Sequence, residues 1–278
     1  MPRDCPVRRR IVYQRVACGF MTERKTHAAQ IDPTRRAPLS GDQGWPPGVT
    51  RPGARAAHTV VALVAGAGYL LAGALNAAGA YGPQPEVEGN VYGDNADGLA
   101  GAFGRLADHV SYFTEWSNAV VALAFGLLAL RPGLVTQARR VLLLSSLLMI
   151  TVTAIVYRVL LAPTQVVEGW SVLTNPWQHV LVPVLAVGVW LVWGPRDWVT
   201  LRLVPWALVI PTLWIAWALI RGLIVGSYPY GFIDARTYGY AAVFTTIGAI
   251  LAFALVLAIL FWAIDALLRR RQGAGATP

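Results

Sequence analysis

Charge is what this sequence has least of. Asp, Glu, Lys and Arg make up 13% of its 278 residues, against about 25% in a soluble domain. Hydrophobic residues reach 56% and the mean hydropathy is +0.51. A chain so poor in charge cannot cover a water-facing surface, which excludes the ordinary soluble classes and points to an integral membrane protein. Cysteine is nearly missing too. The two present, Cys5 and Cys18, lie near the N-terminus, so no disulfide framework or cysteine zinc spacing is visible. Lys25 is the single lysine among 23 basic residues, a compositional bias and not a motif. No phosphate-binding loop, dinucleotide-binding glycine pattern, paired metal-binding histidines or nucleic-acid motif occurs. We therefore expect no cofactor, no metal and no nucleic-acid partner.

The net charge of +9 is mostly one tail. Residues 1–57 hold eleven basic against four acidic residues and are rich in Arg, Pro and Gly without any sustained period. They are expected to be a disordered basic tail on the cytoplasmic side, touching anionic lipid. Met21 is a second possible start. Six apolar runs follow, at about 59–80, 111–130, 141–161, 176–194, 203–224 and 240–267. Each is near the ~20 residues a helix needs to cross a bilayer. The first ends in AAGA, which mimics a signal-peptidase site, but its length favours a retained span. The expected fold is all-α: a polytopic membrane protein, a bundle of six transmembrane helices over residues 58–268, with a short cytoplasmic tail at 269–278. Nineteen of the 23 basic residues fall on one side if both termini are cytoplasmic, which sets the orientation. Residues 82–110 then form an acidic external loop. No internal repeat suggests a transporter.

Within that frame the polar residues of the spans gather at the outer ends. Thr114 and Asn118 open the second span in SYFTEWSNAV. Tyr157 and Arg158 end the third, Asn175 and His179 open the fourth, Arg221 ends the fifth, and Tyr228 and Tyr230 lie in SYPYGFID before the sixth. Polar groups in a span are costly and turn toward a bundle interior or wet cavity, so one pocket near the outer leaflet is expected. A Thr hydroxyl is a weak nucleophile that needs a base within hydrogen-bond reach, and a near-neutral imidazole is such a base. Asn118, one turn after Thr114, would orient the pair or donate to an oxyanion. Simpler readings stand beside these. Thr114 would bond its own helix carbonyl, Asn118 and His179 would join helices, and Asn175 would cap a helix that Pro176 begins. Arg158 and Arg221 would snorkel to headgroups, and the tyrosines would anchor the interface.

Three short motifs carry a resemblance: Y-F-T-x-x-S-N at 112–118, N-P-x-x-H-x-x-x-P at 175–183 and Y-P-Y-x-F-x-D at 228–234. In their order and placement this chain resembles the androgen-induced and androgen-dependent membrane protein family, and more closely its bacterial relatives, the Pr-six-Pr membrane proteins, over roughly residues 58–268. The animal members of that family are six-helix intramembrane threonine hydrolases that cleave fatty acid esters of hydroxy fatty acids. The resemblance implies Thr114 as nucleophile and His179 as base. It also covers Asn118 and Asn175, without fixing their roles. The short stretch between Thr114 and His179 and the loops differ from the animal pattern, and the resemblance assigns no role to Arg158 of the Tyr157–Arg158 pair.

The leading expectation is a plasma-membrane hydrolase of a lipid or fatty acid ester. Arg158 and Arg221 would pair with a substrate carboxylate, with Tyr157, Tyr228 and Tyr230 beside them. The alternative is a non-enzymatic lipid-binding or structural membrane protein using the same pocket. A haem protein would need axial ligands at matching depth, and only His179 and His109 lie on that side. A channel would need a polar face through the inner half of a span, which no span has.

Overall fold

A computed structural model of the chain describes residues 51–81 and 91–274. Among them there is no strand; one isolated parallel bridge pairs Val91 with Tyr228. The helices in chain order are α1 (Ala54–Ala78), α2 (Ala102–His109), α3 (Phe113–Leu130), α4 (Gln137–Leu161), α5 (Ser171–Trp193), α6 (Leu201–Val225) and α7 (Ala235–Arg271). All except α2 are long and apolar enough to cross a membrane. The six expected runs are thus six helices, with ends displaced by a few residues. The largest displacements put the starts of α1, α5 and α7 five residues earlier. α1 therefore begins inside the stretch expected to be tail, while residues 1–50 of that tail lie outside the described residues. The expected external loop contains the short α2.

In lipid, helices gain little by hiding apolar surface and must instead pack closely. α1 and α3 do so through small residues: a side chain at Gly66 would meet the Ala122 methyl at 3.8 Å, and one at Gly126 the Ala62 methyl at 3.8 Å. Val61, Val121, Phe125, Leu144, Leu147 and Trp190 fill the interior formed by α1, α3, α4 and α5. Pro211 in α6 has no N–H to offer the Ala207 carbonyl one turn back. The buried Ser145 hydroxyl of α4 donates to that carbonyl instead, at 2.9 Å.

One end of the bundle is tied together by polar side chains. Arg105 of α2 donates to the Asn76 and Ala77 carbonyls at 2.9 Å each, placing a cation on the negative end of α1. Trp214 and Trp217 of α6 donate to the Ser111 carbonyl at 2.9 Å and the Ser111 hydroxyl at 3.0 Å, pinning the corner between α2 and α3. Arg221 of α6 meets Asp108 of α2 at 2.6 Å and lies 4.1 Å over the Tyr92 ring. At the opposite end Arg196 approaches Asp265 at 3.8 Å and Arg269 approaches Asp197 at 2.8 Å.

α4 and α5 both depart from α-helical winding at the tied end. Tyr157–Leu161 and Trp177–Leu181 are π-helical turns. In each, a backbone N–H reaches five residues back: Ala162 to the Tyr157 carbonyl and Val182 to the Trp177 carbonyl. Pro176 and Pro183, which cannot donate, flank the turn in α5. Such widened turns concentrate at functional sites.

Candidate active site

The two π turns face each other. The Tyr157 ring stacks on the His179 imidazole with 4.0 Å between centroids and 25° between planes. Helix α3 starts at the same level, and Thr114 is its second residue. Its Oγ1 lies 3.1 Å from His179 Nε2, although 65 positions separate the two residues. His179 Nδ1 lies 3.0 Å from the Asn175 carbonyl oxygen. A carbonyl only accepts, so Nδ1 carries the proton and Nε2 is the bare nitrogen. The Thr114 hydroxyl therefore donates to Nε2, the direction a general base requires.

Tyr230 completes the group. The Thr114 N–H donates to its phenol oxygen at 3.4 Å. Burial pushes Tyr230 up to about 12, so the phenol keeps its proton and can donate it.

These four side chains line the top of a hollow of about 770 Å³, counting its open mouth, between α4, α6 and α7. Below them the walls are apolar: Leu148, Leu208, Trp214, Ile250 and Ala254 among others. No charged residue lines it. From Tyr157 down α4 to Leu148 is about 14 Å at a helical rise of about 1.5 Å per residue. Thr153 is another hydroxyl on the wall, 2.8 Å from Ser117 Oγ. Ser117 donates to the Phe113 carbonyl at 2.7 Å, so Thr153 is the donor between the two hydroxyls.

Other residues singled out in the sequence stand elsewhere. Asn118 is fully buried but lines no part of the hollow; its amide donates to the Thr114 carbonyl at 2.8 Å, an intrahelical bond. Asn175 acts through its backbone carbonyl, while its side chain donates to Gln165 at 3.3 Å. Arg158 is exposed and lines no part of the hollow. Arg221 is engaged by Asp108 and Tyr92, away from the cavity wall. Tyr228 is buried against Gly222, and its carbonyl accepts the Tyr92 N–H at 3.0 Å. A side chain points to one face of its helix, and the depth of an Arg or Tyr does not say which.

A second polar group, which no motif in the sequence marks, lies beside the first. Glu115, the neighbour of Thr114, is buried and accepts Gln178 Nε2 on both oxygens at 3.0 Å. Gln178 is the neighbour of His179, so this pair fastens α3 to α5 one residue away from the Thr114–His179 contact. Behind it, His109 Nε2 lies 3.4 Å from Glu115, and Asn76 donates to His109 Nδ1 at 3.4 Å. Burial pushes His109 down to about 4, so its ring is neutral. His109 packs on Tyr69 and Gly73 of α1 and does not line the hollow that His179 lines.

No family model, no curated protein and no solved structure matches this chain.

Proposed function

We propose that the protein is an intramembrane hydrolase of long-chain lipid esters, with Thr114 as nucleophile and His179 as base. The observation that carries this reading is the 3.1 Å contact between Thr114 Oγ1 and a bare His179 Nε2 at the head of an apolar hollow. In the first step His179 takes the hydroxyl proton as Thr114 Oγ1 attacks the ester carbonyl. The Tyr230 phenol donates to the oxyanion. The alcohol leaves with the proton from His179, and the acyl group stays on Thr114 as an ester. His179 then takes a proton from water, the hydroxide attacks that ester, and the fatty acid departs as the proton returns to Thr114. The acyl chain lies along the apolar walls. Arg158 and Arg221 take no part in binding it.

The membrane placement belongs to the same proposal. Arg131, Arg139, Arg140, Arg196, Arg202 and Arg269 to Arg271 all flank span ends opposite Thr114. Arginine-rich ends stay in the cytoplasm. We therefore place both termini inside the cell, the membrane as the plasma membrane, and the reacting pair in the outer half.

Tyr230→Phe should lower kcat about 100-fold with KM little changed, since an oxyanion donor acts mainly in the transition state. An equal fall in binding and turnover would remove Tyr230 from that role. Ala254, near the floor of the hollow, sets its depth. Ala254→Phe should cut turnover of long-chain esters about tenfold relative to short-chain esters, measured across a series of chromogenic esters. An unchanged chain-length profile would remove the acyl chain from that part of the hollow.

A second reading is favoured by one observation: His179 Nδ1 faces a carbonyl and not a carboxylate. With no charged partner behind the base, the hollow would hold an acyl chain without turning it over. A fluorophosphonate probe separates the two readings. The hydrolase is labelled; the binding protein is not.

A further inference from the structure

Helix α2 (Ala102–His109) and the 3₁₀ turn before it (Gly98–Gly101) are amphipathic in an unusual sense. Every charged group of the pair is spent on the protein. Arg105 donates to the Asn76 and Ala77 carbonyls and also to those of Ala96 and Gly98, at 2.7 and 2.6 Å. Asp108 is buried and accepts both Asn95 Nδ2 and Arg221 Nη2 at 2.6 Å. His109 is buried against α1.

The opposite face is apolar and bare. Leu99 is 94% exposed, Phe103 85%, Leu106 39% and Val110 37%. Phe103, Leu106 and Val110 follow helical spacing, with Leu99 one turn earlier, so the four form one stripe. In water this arrangement would be inside out. The segment lies between the last residue of α1 and the first of α3, where two spans leave the bilayer. Leu63 and Leu70 of α1 are bare apolar side chains as well. Trp116, at the corner with α3, donates to the Val110 carbonyl at 2.7 Å and holds the end of the stripe in place.

We propose that α2 lies flat in the leaflet at the Thr114 end of the bundle, with Leu99, Phe103, Leu106 and Val110 seated at the boundary between headgroups and acyl chains. The ligand of this surface is bulk phospholipid. The inference does not depend on hydrolase activity.

Electron paramagnetic resonance tests it on the full chain in phosphatidylcholine vesicles. In a Cys5→Ser, Cys18→Ser background, nitroxide labels are placed through Leu99→Cys, Phe103→Cys or Leu106→Cys, with Asp97→Cys as the water-facing control. Labels on the stripe should collide several-fold more often with oxygen than with a water-soluble nickel chelate, and the Asp97 label the reverse. A Phe103 label that prefers the nickel chelate puts the stripe in water and overturns the proposal. Poor access to both reagents, or dipolar broadening between labels, means that protein covers the stripe, a second copy in the latter case, and overturns it too.

Discussion

Thr114→Ala should leave a folded protein whose ester turnover falls by at least about 10³-fold. The substitution removes one buried hydroxyl and a methyl from the head of α3. It leaves the backbone N–H that Tyr230 receives and the Glu115–Gln178 pair that joins α3 to α5. Alanine also suits a helix at least as well as threonine. The loss would therefore report the hydroxyl and not the packing. His179→Ala should lower turnover by about 10²–10⁴-fold, the usual contribution of a general base. Both are measured with a long-chain fluorogenic ester in detergent, beside a melting curve for each variant. Variants that melt normally and still turn over would end the proposed mechanism.

Arg221→Met should produce the largest loss of stability. Its guanidinium meets Asp108 at 2.6 Å, with the two side chains 13% and 12% exposed. Removing one member of a largely buried ion pair strands the other, at a cost of roughly 3 kcal/mol. For a chain of this size that corresponds to a fall in melting temperature of about 6–12 °C. The double variant Arg221→Met, Asp108→Leu should recover part of the loss, because the stranded charge is gone. Turnover at low temperature should stay near normal, since neither residue lines the hollow. A loss of activity without a loss of stability would return Arg221 to the substrate.

The sequence makes the spans legible because a bilayer imposes one length and one composition on every helix that crosses it. It also makes the level of Thr114 and His179 legible, since each lies three residues into its expected apolar run, at 111 and at 176. The π turns are not legible. Their widened bonds follow from packing around Pro176, Pro183 and the stacked rings, and no local pattern at 157–161 or 177–181 announces them. Arg221 and Tyr228 stand away from the lining of the hollow for a related reason. Depth follows from position along a span, but direction follows from which neighbour the side chain meets, and their neighbours, Asp108 and Gly222, come from packing. Glu115 is an acid at the opening of a span, but its partner Gln178 lies 63 positions away, which no local pattern shows. Helix α2 escaped notice because it is short, contains Gly104, and turns its charged side inward.

The central claim is that Thr114 Oγ1 is a nucleophile activated by His179. Mass spectrometry of the protein after reaction with a fluorophosphonate tests it most directly. The expected result is one phosphonyl adduct, on the peptide and residue of Thr114, which His179→Ala prevents while Arg158→Ala does not. An adduct on another residue, or an adduct on Thr114 that forms as fast without His179, would contradict the claim.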